Sequence, residues 1–165
     1  MNKAKTLAPL FGPACLLIAF LAGCAPAISQ ETRRQAAPDL TIQEMVRNPR
    51  LHRGKMVIFS GVIIEALNTA TGTTLTVLEK PAEAGGRPRA ADRSGGRFLA
   101  QDDRFLDPAI YAPGREVTVA GVFEDLTSLP LGEIKYDYPV IKVKELYLWR
   151  ERPDFHFGFG FYRQF

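Results

Sequence analysis

The chain has 165 residues, 46% hydrophobic and 24% charged, a length and composition that suit one folded domain. Its formal charge of +3 includes Lys3 and Lys5 at the extreme N-terminus, so the remainder carries only +1 and makes no electrostatic case for a nucleic-acid partner. The first element in chain order is "MNKAKTLAPLFGPACLLIAFLAGCAPAISQ". A short positive start is followed by an uncharged apolar stretch from Leu7 to about Gly23, the layout of a secretory signal. As a membrane span it is marginal: about 20 apolar residues are needed, and Gly12-Pro13 interrupts it.

The stretch ends in Leu21-Ala22-Gly23-Cys24, which resembles the lipobox of bacterial lipoproteins. Small residues at Ala22 and Gly23 fit a protease cleft at the membrane surface, and the Cys24 thiol is the good nucleophile available to accept lipid. The resemblance implies cleavage before Cys24, a diacylglycerol on its sulfur, and a further acyl chain such as palmitate on its amine. Three chains exceed the two signals needed for stable anchoring. Removing residues 1–23 would leave 142 residues and no partner for a disulfide, because Cys15 goes with the signal. Ala25, rather than Asp, points to the outer membrane.

Residues 25–38, "APAISQETRRQAAP", are small and polar and read, with Cys24, as a flexible tether over 24–38. A β domain is expected over 39–152. It opens with a short helix, marked by the capping box Thr41-x-x-Glu44 and the stripe Leu40, Ile42, Met45 and Val46, and ended by Pro49. "KMVIFSGVIIEAL" (55–67) predicts a long strand bent at Gly61. "TTLTVLE" (73–79) predicts a second strand after a loop longer than the tightest hairpin class. Residues 80–96, rich in Gly, Pro and Arg, predict a mobile loop. "RFLAQ" (97–101) is a short third strand, and Asp107-Pro108 starts a turn. Val117, Val119, Gly121 and Phe123 share a face of a fourth strand, followed by a long connection, "DLTSLPLGEIKYDYP". In the last strand, 140–149, the apolar parity switches between Val143 and Leu146, which predicts a bulge near Lys144-Glu145.

Five short strands with bent members point to an all-β fold, a small OB-like Greek-key barrel with a short N-terminal helix; a small β-sandwich is the alternative.

The lipobox, "RFLAQDDRFLDPAIY" and "YPVIKVKELYLWRERP" resemble the starvation-inducible outer-membrane lipoprotein (Slp) family over roughly residues 40–152. The resemblance implies an outer-membrane lipoprotein, facing the periplasm, linked to stationary phase or stress, without an established biochemical activity. Family tails tend to be rich in Trp and Pro; this one uses Phe and Gly.

A search for chemistry returns little. His52 and His156 lack ligand spacing, Cys24 is assigned to lipid, and no metal or other cofactor is expected. Ser60 lies mid-strand, away from any nucleophile-elbow context. Asp102, Asp103 and Asp107 suit turn and cap duty better than a cation. No enzyme is expected. Arg87, Arg89, Arg93 and Arg97 form a candidate anion-binding loop, since guanidinium matches phosphate bidentately.

The C-terminus, "DFHFGFGFYRQF", places Phe155, Phe157, Phe159, Phe161 and Phe165 in a tail over 153–165. Its pattern is that of a barrel's closing strand, but a membrane barrel needs at least eight strands. The tail is therefore read as a contact to the membrane interface, a strand added to a partner, or a flap over its own domain. The expected partners are the outer membrane through the N-terminal lipid, then envelope proteins, lipopolysaccharide or peptidoglycan. The function expected is a non-enzymatic envelope role; the alternative is a ligand-binding module for an envelope saccharide or anionic lipid.

Overall fold

The structure is a computed structural model in which residues 26–152 are described. Among the described residues three short helices precede the strands: α1 (Gln30–Gln35), α2 (Ile42–Arg47) and α3 (Pro49–His52). Thr41 caps α2, and the reciprocal bonds with Glu44 form the capping box expected there. Pro49 is the first residue of α3, so it ends one helix by starting another.

The strands are β1 (Met56–Thr69), β2 (Gly72–Glu79), β3 (Arg97–Asp102), β4 (Glu116–Leu131) and β5 (Ile134–Leu148). They pair in the order β1-β2-β3-β5-β4, and β4 returns to β1, so one sheet closes on itself. Only β3 and β5 run parallel. This is the OB-like five-stranded barrel; a single closed sheet leaves no second layer for a sandwich.

Closure requires tight bends, and glycines supply them. A Cβ at Gly61 would collide with the Leu78 carbonyl, and one at Gly121 with that of Lys142. The interior takes one parity from every strand: Val57 and Ile63, Leu75 and Val77, Phe98 and Ala100, Val117, Val119 and Phe123, and Ile141. Ile42 and Met45 of α2, with Leu106, join this core. The bulge in β5 is present: Ala120 pairs with Glu145 but Gly121 with Val143, leaving Lys144 as the extra residue. Leu146 and Leu148 thereby pack against the core.

Three sequence expectations are corrected. The β1–β2 connection is only Ala70-Thr71, because Thr69 pairs with Gly72; the polar residues around it sit in the ladder. The "long connection" after β4 is a hairpin arm, in which Leu126–Leu131 pair with residues 134–139 across a Gly132-Glu133 turn. Pro130 and Pro139 lie within it, which a two-stranded arm with open edges accommodates. Residues 80–96 are tied to the barrel wall rather than loose. They carry an Ala82–Pro88 bridge, and Lys80 Nζ donates to the Ala91 carbonyl at 2.7 Å.

Candidate functional site

The segment read as a tether is docked. Ser29 caps α1, and Ile28 and Thr32 are buried. Glu145, aimed outward by the neighbouring bulge, accepts the Ser29 backbone N–H at 2.8 Å, the Ser29 hydroxyl at 2.6 Å, and the Thr32 hydroxyl. These bonds, the Ser29 hydroxyl first, hold its carboxyl below the usual glutamate range against a smaller opposing effect of burial. Lys144 Nζ donates to Gln35 Oε1, and the Ala37 N–H donates to the Met56 carbonyl at 2.8 Å. Composition alone suggests a linker because the docking uses one large apolar side chain, Ile28, and otherwise hydroxyl, amide and backbone groups.

Loop 80–96 is fixed on the same wall by its backbone. The Gly86 carbonyl accepts Ser60 Oγ at 2.6 Å and Thr118 Oγ1 at 2.7 Å, and Thr118 Oγ1 in turn accepts the Trp149 indole N–H at 2.9 Å. Gly86 has φ +90°, a conformation other residues seldom adopt. A Cβ built there would stand 3.7 Å from that of Ala27, so the N-terminal segment passes directly over this glycine.

The other end of the described chain reaches the same place. Arg152 Nη2 donates to the Pro88 carbonyl at 2.9 Å, and its Nε lies 3.3 Å from Glu116. Arg115 donates to the Trp149 carbonyl at 3.1 Å and to that of Ile110 at 2.9 Å. A cavity of about 310 Å³ opens among Arg115, Glu116, Trp149, Arg150 and Arg152.

The four loop arginines have different surroundings. Arg87 is half-buried: its Nε donates to Glu116 at 2.5 Å, its Nη2 to the Arg150 carbonyl at 2.8 Å, and its guanidinium lies 5.5 Å from the Trp149 ring centre. Arg97 is a strand residue paired with Leu78. Arg89 and Arg93 are exposed and have no acidic partner among the described residues.

The three aspartates are separately engaged. Burial pushes the Asp102 carboxyl up, but the Arg104 hydrogen bonds and charge together bring it below its usual range. Asp103 pairs with Lys142, and Asp107 caps the next turn by accepting the Ala109 N–H at 2.9 Å. His52 closes α3 beside Lys55. Leu21, Ala22, Gly23 and Cys24 lie outside the described residues, as do His156, Phe155, Phe157, Phe159, Phe161 and Phe165.

Sequence reasoning missed the Glu145 latch and the Gly86 anchor. Carbonyl acceptors leave no trace in a sequence. The chain's one tryptophan, Trp149, was the signal available for the second.

A second concavity, about 400 Å³, lies between α2 and the hairpin arm, lined by Ile42, Gln43, Arg47, Lys135, Tyr136 and Asp137 among others. No helix among the described residues is long and apolar enough to cross a membrane.

Comparison with known proteins gives the context. The chain is 25% identical to the Outer membrane protein Slp of Escherichia coli (strain K12) over 154 residues, covering 92% of this chain and 78% of that one. It is 26% identical to the uncharacterized lipoprotein YeaY of the same organism over 129 residues, 78% of this chain and 66% of that one. Matches among solved structures include a chain described as a putative aspartyl-tRNA synthetase from Leishmania major Friedlin. There the TM-score is 0.41 and identity 13%, covering 87% of this chain but 27% of the synthetase. Another is a single-stranded DNA-binding protein from Streptomyces coelicolor, with TM-score 0.35, 16% identity, and coverage of 56% and 92%. Likenesses this distant add nothing about function. The family model for the outer membrane lipoprotein Slp family matches residues 21–160, which takes in the Leu21–Cys24 motif, all five strands and part of the tail; the chain belongs to that family of outer-membrane lipoproteins.

Proposed function

We propose that the chain is cut before Cys24, acylated there, and held at the outer membrane facing the periplasm. In that place it serves a non-enzymatic role in the stressed or stationary-phase envelope, by contacting membrane or envelope proteins. The observation that carries this reading is the docked N-terminal segment, whose first buried side chain, Ile28, stands four residues after Cys24. Such a segment sets the domain close to a lipid attached at Cys24. Of the four arginines expected to bind anions, the exposed Arg89 and Arg93, with the aromatic tail, would supply further contacts. Globomycin, which blocks the lipoprotein signal peptidase, is expected to accumulate precursor, and Cys24→Ser to lose membrane retention. A Cys24→Ser chain still processed and membrane-held would overturn the reading.

A second reading, a binding module for an envelope saccharide, is favoured by the concavity between α2 and the arm. It brings Tyr136 together with Gln43, Arg47, Lys135 and Asp137, the mix of a flat ring and polar groups that sugars need. Titration with lipopolysaccharide and peptidoglycan fragments tests it, with Tyr136→Ala as the comparison. Binding that is absent, or unchanged by that substitution, removes it.

A further inference from the structure

We propose that the wall around Gly86 rests on the anionic phospholipid headgroups of the leaflet holding the Cys24 lipid, with Arg89 and Arg93 as its phosphate contacts. The inference rests on acylation at Cys24.

The geometry begins with chain length. Ala27 stands three residues after Cys24 and lies over Gly86. Extended chain spans about 3.5 Å per residue, so Ala27 stays within about 10 Å of a lipid attached at Cys24, and Gly86 within about 15 Å. The Debye length is ~8 Å at physiological ionic strength, so the exposed charges of this loop act on the headgroups where the wall touches them rather than at a distance.

The last described residue adds an independent constraint. Arg152 is fixed to the Pro88 carbonyl, two residues from Gly86. Phe155, Phe157, Phe159, Phe161 and Phe165 follow Arg152 in the sequence and lie outside the described residues; aromatic side chains are favoured at the membrane–water interface.

Charge supplies the third observation. At this patch Arg87 and Arg152 are offset by Glu116, Arg152 also by Glu83, and Arg115 by Glu151. Arg89 and Arg93 have no such partner among the described residues, although exposed Asp92 between them offsets part of their charge. A planar guanidinium facing a phosphate donates two parallel hydrogen bonds, which suits a lipid headgroup. The arm's turn at Glu133 lies roughly 40 Å farther along β4 than Thr118, which makes it a fitting control position.

The test uses the full acylated chain in phosphatidylethanolamine nanodiscs, with and without phosphatidylglycerol. Because lipid blocks Cys24, a fluorophore on Ala84→Cys or Glu133→Cys reports one position. Brominated lipid is expected to quench the Ala84 label several-fold more than the Glu133 label. The excess is expected to fall toward the Glu133 value on Arg89→Gln with Arg93→Gln, or when phosphatidylglycerol is omitted. Equal quenching at both positions overturns the proposed face. Excess quenching unchanged by the double substitution, or restored only by lipopolysaccharide, overturns the phospholipid contact. The acyl content of the same sample decides the anchoring reading separately. If lipid is absent, binding of the soluble full chain to phosphatidylglycerol vesicles, lost or kept on the double substitution, supports or overturns the face by itself.

Discussion

The Glu145 carboxylate accepts the backbone N–H of Ser29 at 2.8 Å across a sequence separation of 116 residues. This bond closes the N-terminal segment onto the last strand, and so decides how far the domain can stand from anything attached at Cys24. Glu145→Ala removes an acceptor serving three donors. Each hydrogen bond to a charged group is worth ~1.5–3 kcal/mol, but the site is partly solvated, so a total loss of about 1–2 kcal/mol is expected. Hydrogen exchange should lose protection over residues 28–36, with the barrel core unchanged.

The same latch carries a pH dependence. The Glu145 and Asp102 carboxyls both lie below their usual ranges in the folded chain. A depressed folded value means that the stabilisation is present above the ordinary carboxylate range and is lost as pH falls through the folded value. Thermal melts are therefore expected to shift downward between pH ~5 and more acid conditions. In Glu145→Gln the part of that shift due to the latch should vanish.

The Gly86 anchor depends on one indole. Trp149→Phe keeps the ring but removes the donor to Thr118 and weakens the stacking of Arg87. A cost of about 1–2 kcal/mol is expected, together with faster proteolysis within residues 80–96. Unchanged cleavage there would show that the backbone contacts of Gly86 suffice.

The barrel bends are the strictest positions. Gly121→Ala drives a methyl into the Lys142 carbonyl and the Ile141 side chain, so a loss of roughly 1–3 kcal/mol or more is expected in urea melts. Phe98→Ala empties a fully buried site 5.6 Å from the Phe59 ring and should cost about 3–5 kcal/mol.

The barrel was legible because burial writes itself into alternation. Val117, Val119 and Phe123 announced their strand, and the parity switch between Val143 and Leu146 located the Lys144 bulge. The β4–β5 arm was not legible: Ser128, Pro130, Gly132 and Asp137 read as a connection, because only its base is covered, by Leu126, Tyr136 and Tyr138, and the rest holds by backbone pairing. The docked segment before α2 and the fixed loop 80–96 were missed for a related reason. Their contacts run through hydroxyls, carbonyls and one carboxylate, and the partners lie far away in sequence. The resemblance of Leu21–Cys24 to a lipobox is read from the residues alone, since these positions lie outside the described residues. The meeting of Ala27 and Arg152 at Gly86–Pro88 was not readable, because it follows from how the wall is assembled.

Lipid anchoring is tested most directly by the mass of the N-terminal tryptic peptide of protein extracted from the outer membrane. A peptide running from Cys24 to Arg33 and carrying the diacylglycerol and a further acyl chain is expected. A peptide that extends into residues 1–23, or one with an unmodified Cys24, would contradict it.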